Sequence, residues 1–110
     1  MKTLIAALLL TLTTTPQASE LDLINGKICV AVSEYADAVM DARQLGATRA
    51  RIDKETKGIT PSLRPFVAEM VDEAFSTQVF PRQHMKRKAS LDFNMKWTLE
   101  CINRMKDGTL

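Results

Sequence analysis

Cys29 and Cys101 stand near opposite ends of a 110-residue chain, each inside a stretch of helical periodicity, and no third cysteine competes for either. Two cysteines allow one intramolecular pairing, and in an oxidising compartment such a pair forms a bridge that persists. Closing a loop of this length removes unfolded-chain entropy worth about 4 kcal/mol, which is comparable with the whole net stability of a small domain. The stretches around 29 and 101 therefore have to lie side by side. Two reactive thiols in a redox enzyme would need the close C-x-x-C spacing that lowers a thiol pKa, and the chain lacks it.

The oxidising compartment is itself legible. Lys2 is a positive start, Thr3 to Leu12 (TLIAALLLTL) an apolar run, and Thr13 to Ser19 a polar exit, the three parts of a secretory signal peptide. Polar residues interrupt the run well before the roughly 20 apolar residues a spanning helix requires. The expectation is a leader over 1–19, cut after Ala18 or Ser19, and a single helical domain over 20–110 in the periplasm or secreted, with no stable membrane span after cleavage. Composition agrees with a globular chain: 45% of residues are hydrophobic and 25% charged.

From Glu20 to Gly46, apolar residues recur three or four apart at Leu21, Ile24, Ile28, Val32, Tyr35, Val39 and Ala42, with Cys29, Ala36 and Met40 on an adjoining line. That is the stripe a helix buries, and Gly46 suits the left-handed residue just past its end. Gly26 is costly in a helix interior and marks a kink, a close helix contact or a later start, the last two being favoured. Residues 47–58 (ATRARIDKETKG) read as a short solvated helix capped by Thr48 or Asp53, with an Asp53–Lys57 pair; its cations Arg49, Arg51, Lys54 and Lys57 are interleaved with acids and form a solvated face.

Pro61 and Pro65 each fit a first helical turn and not an interior. The lines Phe66, Met70, Ala74 and Val67, Val71, Phe75, Val79 predict a second core helix ending near Phe80, before Pro81. Residues 82–88 (RQHMKRK) read as a short helix or as the first turns of the last one, and Ser90 is placed to cap a last helix whose face is Phe93, Trp97, Cys101 and Met105, widened by Leu91, Met95, Leu99 and Ile102, with acid-before-base pairs Asp92–Lys96 and Glu100–Arg104 and with Gly108 past its end. The fold class is all-α: a bundle of three main helices, roughly 20–45, 62–80 and 90–106, plus a short polar helix, with the first and last tied by Cys29–Cys101. If those two run antiparallel, Trp97 comes to Val32 or Ala36 and Phe93 toward Met40.

The chemistry-bearing residues are few. One histidine, His84, cannot assemble a zinc site once both cysteines are bridged, and no serine or cysteine nucleophile stands with a base. No phosphate loop exists among the four scattered glycines, so neither cofactor nor metal is expected, and the chain reads as a non-enzyme. Residues 1–19 contribute one cation and no acid, leaving a net charge of about +1, which argues against a nucleic-acid partner. The one uncompensated cluster is Arg82, His84, Lys86, Arg87 and Lys88, a candidate surface for an acidic protein or anionic lipid, although the acids of the first helix offer internal neutralisation.

The stretch VSEYADAVMDARQLGA (Val32 to Ala47), preceded by Cys29 and answered by Phe93, Trp97 and Cys101, resembles small exported two-cysteine helical proteins of bacteria and prophages. The resemblance is carried by Cys29, Ala38, Met40, Arg43, Gln44, Gly46, Phe93 and Cys101. It implies export, helices and the bridge, and brings no activity with it. The function expected is that of an exported non-enzymatic module binding another protein, in the manner of an inhibitor or immunity protein; a periplasmic stress chaperone is the alternative.

Overall fold

The computed structural model describes the backbone of residues 16–110 and the side chains of residues 26–110. Of the leader read over 1–19, residues 1–15 lie outside the residues so described, as do the side chains at the expected core positions Leu21 and Ile24. Four helices follow in order: α1 (Pro16–Gln44), α2 (Arg49–Thr56), α3 (Arg64–Ser76) and α4 (Gln83–Asp107), with a 3-10 turn (Pro61–Leu63) leading into α3. No strand occurs among the described residues. Because α1 is already helical at Pro16, residues 16–19 continue it backward from the expected start at Glu20.

The Cys29–Cys101 disulfide joins α1 to α4, with the two Cα atoms 5.6 Å apart. From that bridge the helices run antiparallel. Ser33 Oγ donates to Asn94 Oδ1 at 2.9 Å, and Asn94 Nδ2 donates to the Ser33 carbonyl at 3.0 Å. Further along, Ser90 Oγ donates to Asp41, and Lys86 Nζ donates to the Gln44 carbonyl at 2.8 Å. Rising along α1 is thus falling along α4, and the polar pairs fix a register that apolar packing alone leaves free to slide.

Beneath this seam lies the core. Val32, Ala36, Val39 and Met40 of α1, Ile52 of α2, Phe66, Val67, Met70, Val71 and Ala74 of α3, and Phe93, Trp97 and Cys101 of α4 are all buried in one cluster with Cys29. Trp97 anchors it: its ring meets Phe66 edge-on at 5.3 Å and Phe93 at 6.1 Å, and its Nε1 donates to Glu73, so the one polar atom of the indole is paired. The residues expected to meet across the seam, Trp97 with Val32 or Ala36 and Phe93 with Met40, all belong to this one cluster.

Helix ends obey local chemistry. Gly46 at φ +91° and Gly108 at φ +71° each take the left-handed position that other residues adopt only with strain. Behind each, the last carbonyls accept in the Schellman pattern: Ala47 N to Ala42 O and Gly46 N to Arg43 O after α1, Thr109 N to Arg104 O and Gly108 N to Met105 O after α4. Thr48 caps α2 by accepting from Arg51 N. Asp53 is instead inside α2, paired with Arg49 at 3.6 Å, and because α2 stops at Thr56 the expected Asp53–Lys57 pair does not form.

Three further boundaries or roles differ from the sequence reading. First, α3 ends at Ser76, not Phe80: Thr77 is extended (φ −83°, ψ 136°), and the hydroxyls of Ser76 and Thr77 both donate to the Glu73 carbonyl, the local competition that makes such residues helix stops. Val79 consequently leaves the core line and is exposed. Second, α4 begins at Gln83, not Ser90, since 83–89 contains good helix formers and no breaker; Ser90 is buried and bonds α1 in place of capping. Third, a Cβ on Gly26 would meet nothing within 4 Å, and α1 runs through it, so Gly26 is neither a close contact nor a start.

Candidate interaction site

Arg43 and Gln44, the polar step at the end of α1, account for the chain's path between α3 and α4. Gln44 is only 3% exposed. Its Nε2 donates to the Gln78 carbonyl and its Oε1 accepts from Phe80 N, both at 2.9 Å, satisfying a buried amide completely. Arg43 Nε and Nη2 donate to the Thr77 carbonyl at 3.2 and 3.1 Å, while its guanidinium lies 5.1 Å over the Phe75 ring. Together they pin residues 77–80 and aim the start of α4. The Arg-Gln-x-Gly step is therefore a structural device.

That aim decides what the basic cluster 82–88 can do. Arg82 is the N-cap residue of α4 without a side-chain cap bond, and the cluster occupies the first turns, where no acid complements the helix dipole. Cations are unfavourable at their own helix's N-terminus. Lys86 has a compensating partner, because its ammonium reaches the Gln44 carbonyl at the negative end of α1. Lys88 pairs with Asp92 at 2.7 Å across one turn, both exposed. Arg82, His84 and Arg87 are exposed and form no ion pair among the described residues. The cluster is thus split: Lys86 belongs to the fold, Lys88 is offset, and the other three face solvent. No acid of α1 forms an ion pair with the cluster among the described residues, although Asp41 lines the same concavity as Lys86 and Arg87.

The larger feature is on the same helix. Leu91, Met95, Leu99 and Ile102, assigned by the sequence to the buried face, are 55%, 64%, 58% and 37% exposed. The correction has a geometric cause. At 100° per residue these four lie nearly opposite Phe93, Trp97 and Cys101, and both neighbouring helices approach from the inner side. From α1 come the contacts to Lys86, Ser90, Asn94 and Cys101. From α3, Glu73 receives Lys96 and Trp97, and Glu69 pairs with Arg104 at 2.7 Å. No described residue covers the outer side, so among the described residues α4 carries a free apolar ridge with steps of four, four and three residues, and His84, Lys88 and Lys106 fall on the same line. Four large apolar residues regularly placed on one helix form a patch, unlike the single exposures at Val30 and Leu45.

Other concave regions are committed. The cleft between α2 and α3 is lined by Ile59, Val67 and Val71, but its cation Arg49 is held by Asp72 and Asp53, and Arg64 donates to the Ile59 and Lys57 carbonyls. In the open α3–α4 groove, Arg104 lies 4.9 Å over the Phe66 ring and pairs with Glu100 at 3.0 Å, the pair the sequence predicted. Its hydrogen bond to Glu69 raises the guanidinium further above its ordinary pKa. Lys96 goes to Glu73 across the groove, not to Asp92. Among the described residues no group of three His, Cys, Asp or Glu is placed to hold a metal, and no helix is long and apolar enough to cross a membrane.

Comparison with known proteins adds no name to this site: no protein family, curated protein or solved structure matches the chain.

Proposed function

We propose that the chain is an exported, non-enzymatic module that binds another protein through the outer face of α4, in the manner of an inhibitor or immunity protein. The observation that carries this reading is the exposed ridge Leu91, Met95, Leu99, Ile102, held on a helix whose inner face is locked by the disulfide and by Trp97. A rigid scaffold presenting an apolar anchor line is how helix-based recognition works, with anchors at three- and four-residue spacing. The bridge fits an oxidising compartment, and the leader read over 1–19 supplies the route. His84, the one imidazole, is exposed among cations, a poor setting for a general base.

The test is capture from periplasmic extract with the immobilised chain at pH 7 and pH 5, alongside Leu99→Asp. An inhibitor-like module retains one stoichiometric partner at both pH values and loses it in the variant. Many clients appearing only on acidification would instead identify a stress chaperone, and a partner kept by Leu99→Asp would remove the ridge from the account.

A further inference from the structure

We infer that the α4 ridge recognises an apolar surface bordered by carboxylates on a different protein; this rests on the binding reading above and adds the partner's chemistry. The argument is one of charge and shape. Along the ridge line the charged positions are Lys88 toward one end and Lys106 at the other, with Arg87 flanking the first. The bordering acid, Asp92, is held by Lys88. The positive end of the α4 dipole adds to the same sign at the Arg82 end. With Lys88 offset by Asp92, a ligand that covers Met95 and Leu99 meets cations without an ion pair among the described residues, Arg87 toward one end and Lys106 at the other, and carboxylates there gain attraction where lysines are repelled.

A second copy of this chain fits poorly. Laid antiparallel, Leu91 against the other copy's Ile102 brings Lys88 onto Lys106 at both ends; laid parallel, each lysine meets its own counterpart. Each copy also offers only the same four side chains, against roughly 20–30 residues a side in a standard interface, whereas another protein can enclose a projecting ridge from both flanks. A lipid surface shares the charge but only part of the apolar chemistry. Helices that lie in a membrane interface combine Trp, Phe and Leu on the apolar face; here Trp97, Phe93 and Phe66 are buried and Phe75 is half-buried, so the ridge offers leucine without the aromatic anchors. The ridge is built of Leu, Met and Ile alone, and the unbranched Met95 adapts to an irregular protein groove.

The experiment titrates the folded, disulfide-bridged chain with two amphipathic helical peptides of about five turns, identical in their leucine face and carrying either glutamate or lysine on the borders. Methyl NMR reports the site. The Leu/Glu peptide is expected to shift the methyls of Leu91, Met95, Leu99 and Ile102 and to bind about tenfold tighter than the Leu/Lys peptide, with the gap closing at high salt. Met95→Asp/Leu99→Asp should abolish its binding. Equal binding of the two peptides, or none by the Leu/Glu peptide, overturns the inference. So does a dimer in sedimentation that Leu99→Asp dissolves, or phosphatidylglycerol vesicles that displace the Leu/Glu peptide. The two readings fail separately. A native partner captured through the ridge but displaced equally well by both peptides leaves the binding module standing and sinks its acidic chemistry. A ridge that prefers the Leu/Glu peptide while the native partner survives Leu99→Asp does the reverse.

Discussion

The inner and outer faces of α4 are made from similar material and have opposite fates. Phe93, Trp97 and Cys101 are buried; Leu91, Met95, Leu99 and Ile102, interleaved with them, are exposed. Hydrophobicity does not separate the two sets. What separates them is which side has a neighbour: α1 and α3 both approach the inner face, and two helices cannot also wrap the outer one. A helix with two opposed apolar stripes in a three-helix bundle must leave one uncovered, so the outer stripe contributes little to holding the fold and is available for a partner.

That contrast is open to mutation. The largest effect is expected at Trp97→Ala, which removes the ring between Phe66 and Phe93 and the indole's hydrogen bond to Glu73; a loss of about 3–5 kcal/mol should appear in equilibrium denaturation. Next comes the bridge. Cys29→Ala/Cys101→Ala frees a loop spanning 72 positions and should cost about 4 kcal/mol in the chain-entropy picture. Unchanged stability in this variant, or free thiols in protein taken from an oxidising compartment, would contradict the role given to the seam.

Smaller effects sharpen the account of how α4 is aimed. Gln44→Leu leaves the Gln78 carbonyl and Phe80 amide without their partner and should cost about 1–3 kcal/mol, with hydrogen exchange at Phe80 accelerated ahead of the core amides. Within the basic cluster, Lys86→Gln should lower stability by about 0.3–1 kcal/mol, the usual value of a cation at a helix C-terminus. Arg82→Gln/Arg87→Gln/Lys88→Gln should leave it nearly unchanged, because exposed charges contribute little. If all four cations behave alike in a melting series, the division of that cluster between fold and surface is wrong.

Most of the architecture was legible because it rests on local chemistry. The periodicity of 28–42, the Pro61 and Pro65 starts, and the glycines at 46 and 108 are read within a few residues of themselves. So was the disulfide, which two cysteines leave no freedom to mispair. The ends of α3 and α4 were less legible, because the loop between them is decided from 34 or more residues away by Arg43 and Gln44. Nothing in Ser76 to Pro81 by itself announces that path. The ridge was visible but misassigned. Leu91, Met95, Leu99 and Ile102 were added to the face of Phe93, Trp97 and Cys101, although at 100° per residue they point the other way. Counting how many helices are available to cover both stripes would have exposed the conflict.

The central claim, that α4's inner face holds the fold while its outer face does not, is tested most directly by equilibrium denaturation of Met95→Asp/Leu99→Asp beside the unaltered chain. Both positions face solvent, so the account predicts midpoints within about 1 kcal/mol of each other, the range of ordinary surface changes. A loss of several kcal/mol, as when charge is forced into a core, would contradict it and return the ridge to the interior.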